Sequence, residues 1–309
     1  MDISVVVPVY GCPSALPELH RRLAQTLSDL VDTYEIVLVY DCDEMGSWEQ
    51  IVKICDADEN VVGIELARNF GQIRAITAGL DHSSGDWVVV MDCDLQDRPE
   101  GIRDLYAKAQ EGYDVVFARR KNRKDNKVVK FFSRSFYKVY DYFTDGNFDN
   151  SICNFSISKR VVIDAYCSMR EQNRGYTLFI KWLGFKQAKI DIEADKRFAG
   201  ESSYSMRKKI AMAFELITSQ SNKPLRLSVS IGSIIALLAF VYLIVLIIVY
   251  FANPGKVPIG WTSTVGSIFL MGGLILAALG VVGLYVGNIF NEVKNRPLYV
   301  VRSVIQRRH

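Results

Sequence analysis

The residues with the clearest chemical potential are the acids of Asp92-Cys93-Asp94-Leu95-Gln96-Asp97, which directly follow the apolar run Trp87-Val88-Val89-Val90-Met91. Acids two apart at the end of a strand can face one ligand together. Hard divalent ions such as Mg²⁺ take oxygen ligands and are often shared between carboxylates and substrate phosphates. A pyrophosphate leaving group needs its developing charge neutralised, and a bound cation can do that. The competing reading is an acidic turn that caps the helix opening after Pro99. The three histidines, His20, His82 and His309, are too few and too separated for a triad or a zinc site. His82 reads as a surface or cap residue, and Trp182 and Trp261 as packing or membrane-interface residues.

Such a site needs a frame. Short apolar runs at 3–7, 35–40, 61–66, 87–91 and 114–118 alternate with amphipathic stretches at 16–30, 72–80 and 99–111. Strands alternating with helices predict an α/β fold with a mostly parallel, doubly wound sheet. Ligands of such sheets bind beyond the carboxyl ends of the strands. The loops 9–13, 41–47 and 92–97 all open there.

The C-terminal third has a different character. No charged residue occurs from Leu227 to Gly255 or from Val257 to Asn291, and only Lys256 separates the two runs. A span of ~30 Å of hydrocarbon needs about 20 apolar residues, so both runs are long enough to be transmembrane helices, over about 227–251 and 262–290. The alternative is a pair of buried helices in a large soluble protein. The second run is rich in small residues, and Gly283 and Gly287 form a small-x-x-x-small face suited to packing on the first span or to self-association into a homo-oligomer. Beyond Pro224 the chain holds seven Lys or Arg and one acid, Glu292, which leaves the rest of the +3 chain near −3. The positive-inside rule then puts the C-terminus in the cytoplasm, and two spans return the N-terminal part to the same side. The N-terminal residues lack the charged start and cleavage site of a signal peptide, which agrees with that placement. Six scattered cysteines without a C-x-x-C pair are expected to be free thiols in a reducing compartment.

The chain divides on these grounds into a cytoplasmic catalytic domain (1–205), an interfacial juxtamembrane helix (206–224), two transmembrane helices (225–290) and a basic cytoplasmic tail (291–309). Within the first part, residues 119–138 carry nine Lys or Arg against Asp125 alone, interleaved with Phe131, Phe132, Phe136 and Tyr137. An apolar stripe runs on to Phe143. A basic helix with one aromatic face suits a lipid headgroup layer. Nucleic acid is the competing partner, disfavoured beside two spans, and an ordinary packed helix with a solvated face is the third reading.

Several ordered strings carry a family resemblance: Val5-Val6-Val7-Pro8-Val9-Tyr10, Arg68-Asn69-Phe70-Gly71, Ala78-Gly79-Leu80, Gly85-Asp86 and Met91-Asp92-Cys93-Asp94-Leu95-Gln96-Asp97. Arg197-Phe198-Ala199-Gly200-Glu201-Ser202-Ser203-Tyr204, Pro224-Leu225-Arg226, Gly283-Leu284-Tyr285 and Glu292-Val293-Lys294-Asn295-Arg296-Pro297 extend it through the spans. Together they resemble family-2 glycosyltransferases, and more narrowly the polyprenyl-phosphate branch that includes dolichyl-phosphate mannose synthase and bactoprenol glucosyltransferase. The resemblance implies a GT-A fold, a nucleotide-sugar donor (UDP-sugar favoured), a polyprenyl phosphate acceptor such as undecaprenyl phosphate, and a divalent cation, Mg²⁺ or Mn²⁺. Asp92, Asp94 and Gln96 would hold the metal and donor phosphates, with Asp94 catalytic. Pro8, Tyr10 and Asp41 would line the nucleobase pocket, and Arg197 and Ser203 would handle phosphate. A guanidinium such as that of Arg197 suits bidentate phosphate contact.

Three departures from the family pattern stand out. Tyr10 is followed by Gly11-Cys12-Pro13 instead of Asn-Glu-Glu, Tyr40-Asp41-Cys42-Asp43 replaces Asn-Asp-Gly-Ser, and Cys153-Asn154-Phe155 replaces Gly-Asp-Phe. The Asp of that last string is the usual candidate base. A phosphate monoester, with a second pKa near ~6, is already largely dianionic at pH 7, so the acceptor needs alignment and charge relief more than deprotonation. Asn154 would then position a sugar hydroxyl or the acceptor. A processive polysaccharide synthase is disfavoured because no Gln-x-x-Arg-Trp string occurs. A catalytically silent membrane scaffold binding a partner subunit is the alternative of another class.

Overall fold

The computed structural model describes residues 1–120, 152–192, 223–252 and 260–306. The basic helix expected to follow residue 120, the juxtamembrane helix, Arg197 and Ser203 lie outside the described residues.

The N-terminal half alternates as expected: β1 (Ile3–Val9), α1 (Leu16–Ser28), β2 (Tyr34–Tyr40), α2 (Ser47–Ala57), β3 (Val61–Leu66), α3 (Gln72–His82), β4 (Trp87–Val90), α4 (Gly101–Gln110) and β5 (Val115–Arg120). It continues through β6 (Ile152–Lys159), α5 (Arg160–Ser168), α6 (Tyr176–Trp182) and β7 (Gln187–Ile192). Two long helices follow, α7 (Lys223–Ala252) and α8 (Trp261–Val293), and then β8 (Val301–Gln306). Arg119 and Arg120, read as the start of the basic segment, instead end β5, where Arg119 Nε donates to Asp191 of β7.

One eight-stranded sheet has the order β7-β5-β6-β4-β1-β2-β3-β8. Its centre, β4-β1-β2-β3, is parallel, while β6 runs antiparallel to β4 and β5, and β8 antiparallel to β3. The direction of winding reverses between β1 and β4, where an open α/β sheet forms its binding crevice. β1 is buried throughout. Ile3, Val5, Val7 and Val9 point into one core with α1, α2 and α4, whereas Val6 joins a second core with α3, α5 and α6. This two-faced burial explains the unbroken apolar run of β1. Gly79 lets α3 settle on it: a Cβ there would lie 2.3 Å from Val6 Cγ1.

The last strand corrects the expected division of the chain. Residues 296–306 group with the catalytic unit and not with the apolar helices. β8 pairs with β3, Arg302 and Ser303 hydrogen-bond Glu65, Tyr299 Oη donates to Asp81, and Leu298 is buried. The basic tail is an edge strand of the sheet.

The second unit contains the two helices, each long and apolar enough to cross a membrane. Their large side chains are outward: Leu237 is 62% exposed and Leu276 71%. Helices buried in the core of a soluble protein would not show this exposure. A Cβ at Gly283 or Gly287 would meet no described atom within 4 Å.

Candidate active site

The switch point between β1 and β4 is where the predicted acids gather. After β4 the buried and accessible positions alternate: Cys93, Leu95 and Asp97 are buried, whereas Asp92, Asp94 and Gln96 are half-buried. The three residues expected to hold metal and phosphate thus share the accessible side of one loop. Leu95 takes φ 57°, a turn that a branched side chain seldom adopts, and Asp94 accepts the Gln96 amide at 3.1 Å. Among the described residues no group of three His, Cys, Asp or Glu side chains is placed to enclose a metal ion. Two carboxylates and an amide oxygen suit a cation shared with a diphosphate, since Mg²⁺ commonly uses one or two carboxylates and completes its shell with phosphate and water.

β6 supplies the next residue by register. It pairs Ser156 with Val90 antiparallel, so Asn154 falls opposite Asp92 two residues on, and its Nδ2 donates to Asp92 Oδ1 at 3.4 Å. The same oxygen accepts Gln72 Nε2 at 2.7 Å from the first turn of α3. Gln72 was not among the expected residues. Its signal lay in its place directly after Arg68-Asn69-Phe70-Gly71, at the carboxyl end of β3.

The expected nucleobase residues separate. Tyr10 is 54% exposed at the end of β1 and free to present its ring. Pro8 is buried within β1, paired with Val39, and presents no pocket surface of its own. Asp41 is buried beneath the Arg68–Gly71 turn, accepting the Phe70 and Gly71 amides at 2.7 and 2.9 Å. Burial pushes its carboxyl above the ordinary range despite those two bonds.

Asp43, two residues on, behaves in the opposite way. Burial works against its charge, but hydrogen bonds from Ser47, Gly11 and Met45 prevail and hold its pKa down. The Gly11 amide lies 2.7 Å from Asp43 Oδ2, and Gly11 itself sits at φ +68°. Two of the three departures from the family pattern, Gly11 after β1 and Asp43 after β2, are therefore the two ends of one hydrogen bond.

The cysteine reading is corrected at this point. Cys12 and Cys93 form a disulfide with Cα atoms 6.5 Å apart, although 81 residues separate them. The sheet makes the pair: β1 and β4 are parallel neighbours, and both cysteines lie just past their carboxyl ends. Cys42, Cys55, Cys153 and Cys167 are not disulfide-bonded. Burial pushes the Cys55 thiol up to about 11 and the Cys167 thiol up to about 12, which makes both poor nucleophiles. Of the described histidines, His82 Nδ1 meets the Ala78 carbonyl of its own helix and His20 meets Asp58, both structural contacts.

This sheet, with carboxylates at the carboxyl ends of its central strands and an antiparallel β6 delivering a side chain to them, defines a GT-A-type glycosyltransferase fold. The chain belongs to glycosyl transferase family 2, which its residues 4–167 match. It is 35% identical over 310 residues to the undecaprenyl-phosphate 4-deoxy-4-formamido-L-arabinose transferase of Enterobacter sp. (strain 638), covering 99% of this chain and 94% of that protein. A Bacillus subtilis (strain 168) protein described as uncharacterized glycosyltransferase YkcC is 34% identical over 304 residues, covering 98% of this chain and 94% of its own. Among solved structures, glucosyl-3-phosphoglycerate synthase from Mycobacterium tuberculosis, in complex with Mn²⁺, UDP and phosphoglyceric acid, superposes with TM-score 0.52 at 17% identity, over 70% of this chain and 76% of that one. That likeness bears on the fold. The protein is thus a glycosyltransferase, as its motifs implied.

Proposed function

We propose that this enzyme moves one sugar, with inversion, from a UDP-sugar to undecaprenyl phosphate at the cytoplasmic face of a membrane, yielding a lipid-linked sugar for cell-surface glycan modification. The observation that carries the reading is the gathering of Asp92, Asp94 and Gln96 on the accessible side of the loop at the β1/β4 switch point. The acceptor is argued from the end-to-end likeness to an undecaprenyl-phosphate transferase and from two helices apolar enough to reach a lipid.

The chemistry asks little of the protein in covalent terms. The acceptor phosphate is largely dianionic at pH 7, with a second pKa near ~6, and one of its oxygens attacks the anomeric carbon on the face opposite the departing diphosphate. A divalent cation, when bound, supplies Lewis-acid neutralisation of that leaving group. Asp92 and Asp94 would hold it, Gln96 would add an oxygen, and Tyr10 would present a ring to the base. Arg197 and Ser203 are proposed to meet phosphate. Asn154 carries a carboxamide where the family pattern has an aspartate, which fits a nucleophile that arrives ionised.

The sheet supports this topology. β8 comes after α8 yet pairs with β3, so both ends of the apolar hairpin lead into one folded unit. A hairpin whose ends join one sheet fits an even number of bilayer crossings. Lys294, Arg296 and Arg302, which follow the second helix in sequence, favour the cytoplasm for that side under the positive-inside rule. The basic segment after residue 120 is proposed to lie on anionic headgroups and attract the acceptor.

The test is sugar transfer by the purified full-length enzyme to a short-chain polyprenyl phosphate, with a panel of radiolabelled UDP- and GDP-sugars and Mg²⁺ or Mn²⁺. Transfer from one donor, lost in Asp94→Ala, establishes the reaction and names the sugar. Absence of transfer from every donor, together with no metal-dependent nucleotide binding, would turn the assignment to a membrane scaffold.

A further inference from the structure

Asp92 Oδ1 receives two neutral donors, Gln72 Nε2 at 2.7 Å and Asn154 Nδ2 at 3.4 Å. They come from different elements, and each is anchored behind the site. Gln72 follows Gly71, whose amide and that of Phe70 are held by the buried carboxylate of Asp41. The Asn154 carbonyl accepts Ser156 Oγ at 2.9 Å, and Ser156 Oγ lies 3.0 Å from the hydroxyl of fully buried Tyr176. Two chains of contacts, both on the face of the sheet that α3 covers, converge on a single carboxylate oxygen.

The chemical type of the donors matters. A lysine or arginine at either position would orient Asp92 but would also bring a counter-charge that competes with a cation. A carboxamide fixes the carboxylate rotamer by hydrogen bonding and adds no charge, which is the usual way a ligand to a metal is oriented from behind. An aspartate at position 154 would instead set a second carboxylate at hydrogen-bonding distance from Asp92. An Asn at this position suits the contact it makes.

We propose that Gln72 and Asn154 are a positioning pair that aims Asp92 at the donor diphosphate and its cation, and that Asn154 acts through Asp92 and not as a surrogate base. This rests on the active-site reading above. The experiment is calorimetric titration of the full-length protein in detergent with UDP and with GDP, each with and without Mn²⁺, alongside thermal unfolding. The near-isosteric Gln72→Met weakens Mn²⁺-dependent nucleotide binding by about tenfold or more, the scale usual for loss of a group that orients a metal ligand. Asn154→Leu weakens it less, in line with its longer bond, and nucleotide binding without metal is unchanged in both. Gln72→Glu, which keeps length and polarity, gives the same direction of effect if the methionine variant lowers the unfolding temperature. Asn154→Asp lowers metal-dependent binding and turnover together, whereas a restored base would raise turnover. Wild-type affinity in Gln72→Met and Asn154→Leu would overturn the pair and leave the active site standing. Absence of metal-dependent binding of either nucleotide to the wild-type protein would overturn the active-site reading and the pair with it.

Discussion

The same tripeptide, Asp-Cys-Asp, occurs at the carboxyl ends of the two strands that flank β1: Asp41-Cys42-Asp43 after β2 and Asp92-Cys93-Asp94 after β4. Their fates differ at every position. The first pair of carboxylates accepts five backbone amides, from Phe70, Gly71, Gly11, Met45 and Ser47. In the second, Asp92 is held by side-chain carboxamides and stands with Asp94 on the accessible side of its loop. Cys42 keeps its thiol and donates to the Leu66 carbonyl, whereas Cys93 is bonded to Cys12. The first triplet is committed to shaping loops and the second to presenting charge. A carboxylate whose lone pairs are taken by backbone amides is a structural element, whatever its resemblance to a ligand.

The sharpest way to break that comparison is to remove one acid from each triplet. Asp94→Ala is expected to lower kcat by about 10³-fold, the scale on which loss of a preorganised electrostatic group acts, with little change in unfolding temperature. Asp43→Asn is expected to act in the other coordinate: one of its three amides loses its acceptor oxygen, at about 1–3 kcal/mol of stability, with donor affinity falling only as far as the loops loosen. Steady-state kinetics and urea unfolding on both variants check the split. A variant at Asp43 that kept full stability but lost turnover would erase the distinction between the triplets.

The cysteines allow the next-largest contrast. In the oxidised protein Cys93→Ser is expected to cost about 2–4 kcal/mol, because the bond closes a long stretch of chain, and the same loss should follow from dithiothreitol in the wild type. Cys42→Ser, which keeps a donor for the Leu66 carbonyl, is expected to change stability by less than about 1 kcal/mol. Free-thiol counting by alkylation before and after reduction measures the pair directly. Six alkylatable cysteines without reductant in the denatured protein would show that the bond is absent.

Much of this was legible in the chain itself. The five runs read as strands all became strands, because residues buried on both faces leave unbroken apolar stretches. The acids after β4 were legible because their place after a buried strand decides where they open. What escaped depended on register. Asn154 meets Asp92 because β6 returns antiparallel, Gln72 reaches it only once α3 is seated on β1, and Cys12 finds Cys93 across a strand pairing. β8 escaped for another reason: Val301–Gln306 alternates half-buried and exposed residues and carries Arg302, so its composition matches a charged tail as well as an edge strand. Edge strands bury one face and carry charge outward, which weakens the signal that marked the central ones.

The smallest expected effect separates the two carboxylates of the first triplet, Asp41 and Asp43, which the sequence presents as equals. In the unfolded chain both titrate near ~3.9. Folding lowers the pKa of Asp43, so the unfolded state binds more protons in the acid range and stability contributed by Asp43 rises with pH. That contribution is complete above the unfolded pKa and is lost as pH falls through the lower, folded value. Folding raises the pKa of Asp41, chiefly through burial, so the folded state binds the extra proton and the contribution of Asp41 shrinks as pH rises from the unfolded pKa through the folded one. Urea midpoints of the wild type, Asp41→Asn and Asp43→Asn, taken from about pH 3 to pH 7, are therefore expected to diverge with opposite slopes. The gap between wild type and Asp43→Asn closes on acidification, while the gap to Asp41→Asn widens. Parallel slopes would mean that the two carboxylates feel one environment, and that the amides gathered around Asp43 do not outweigh its burial.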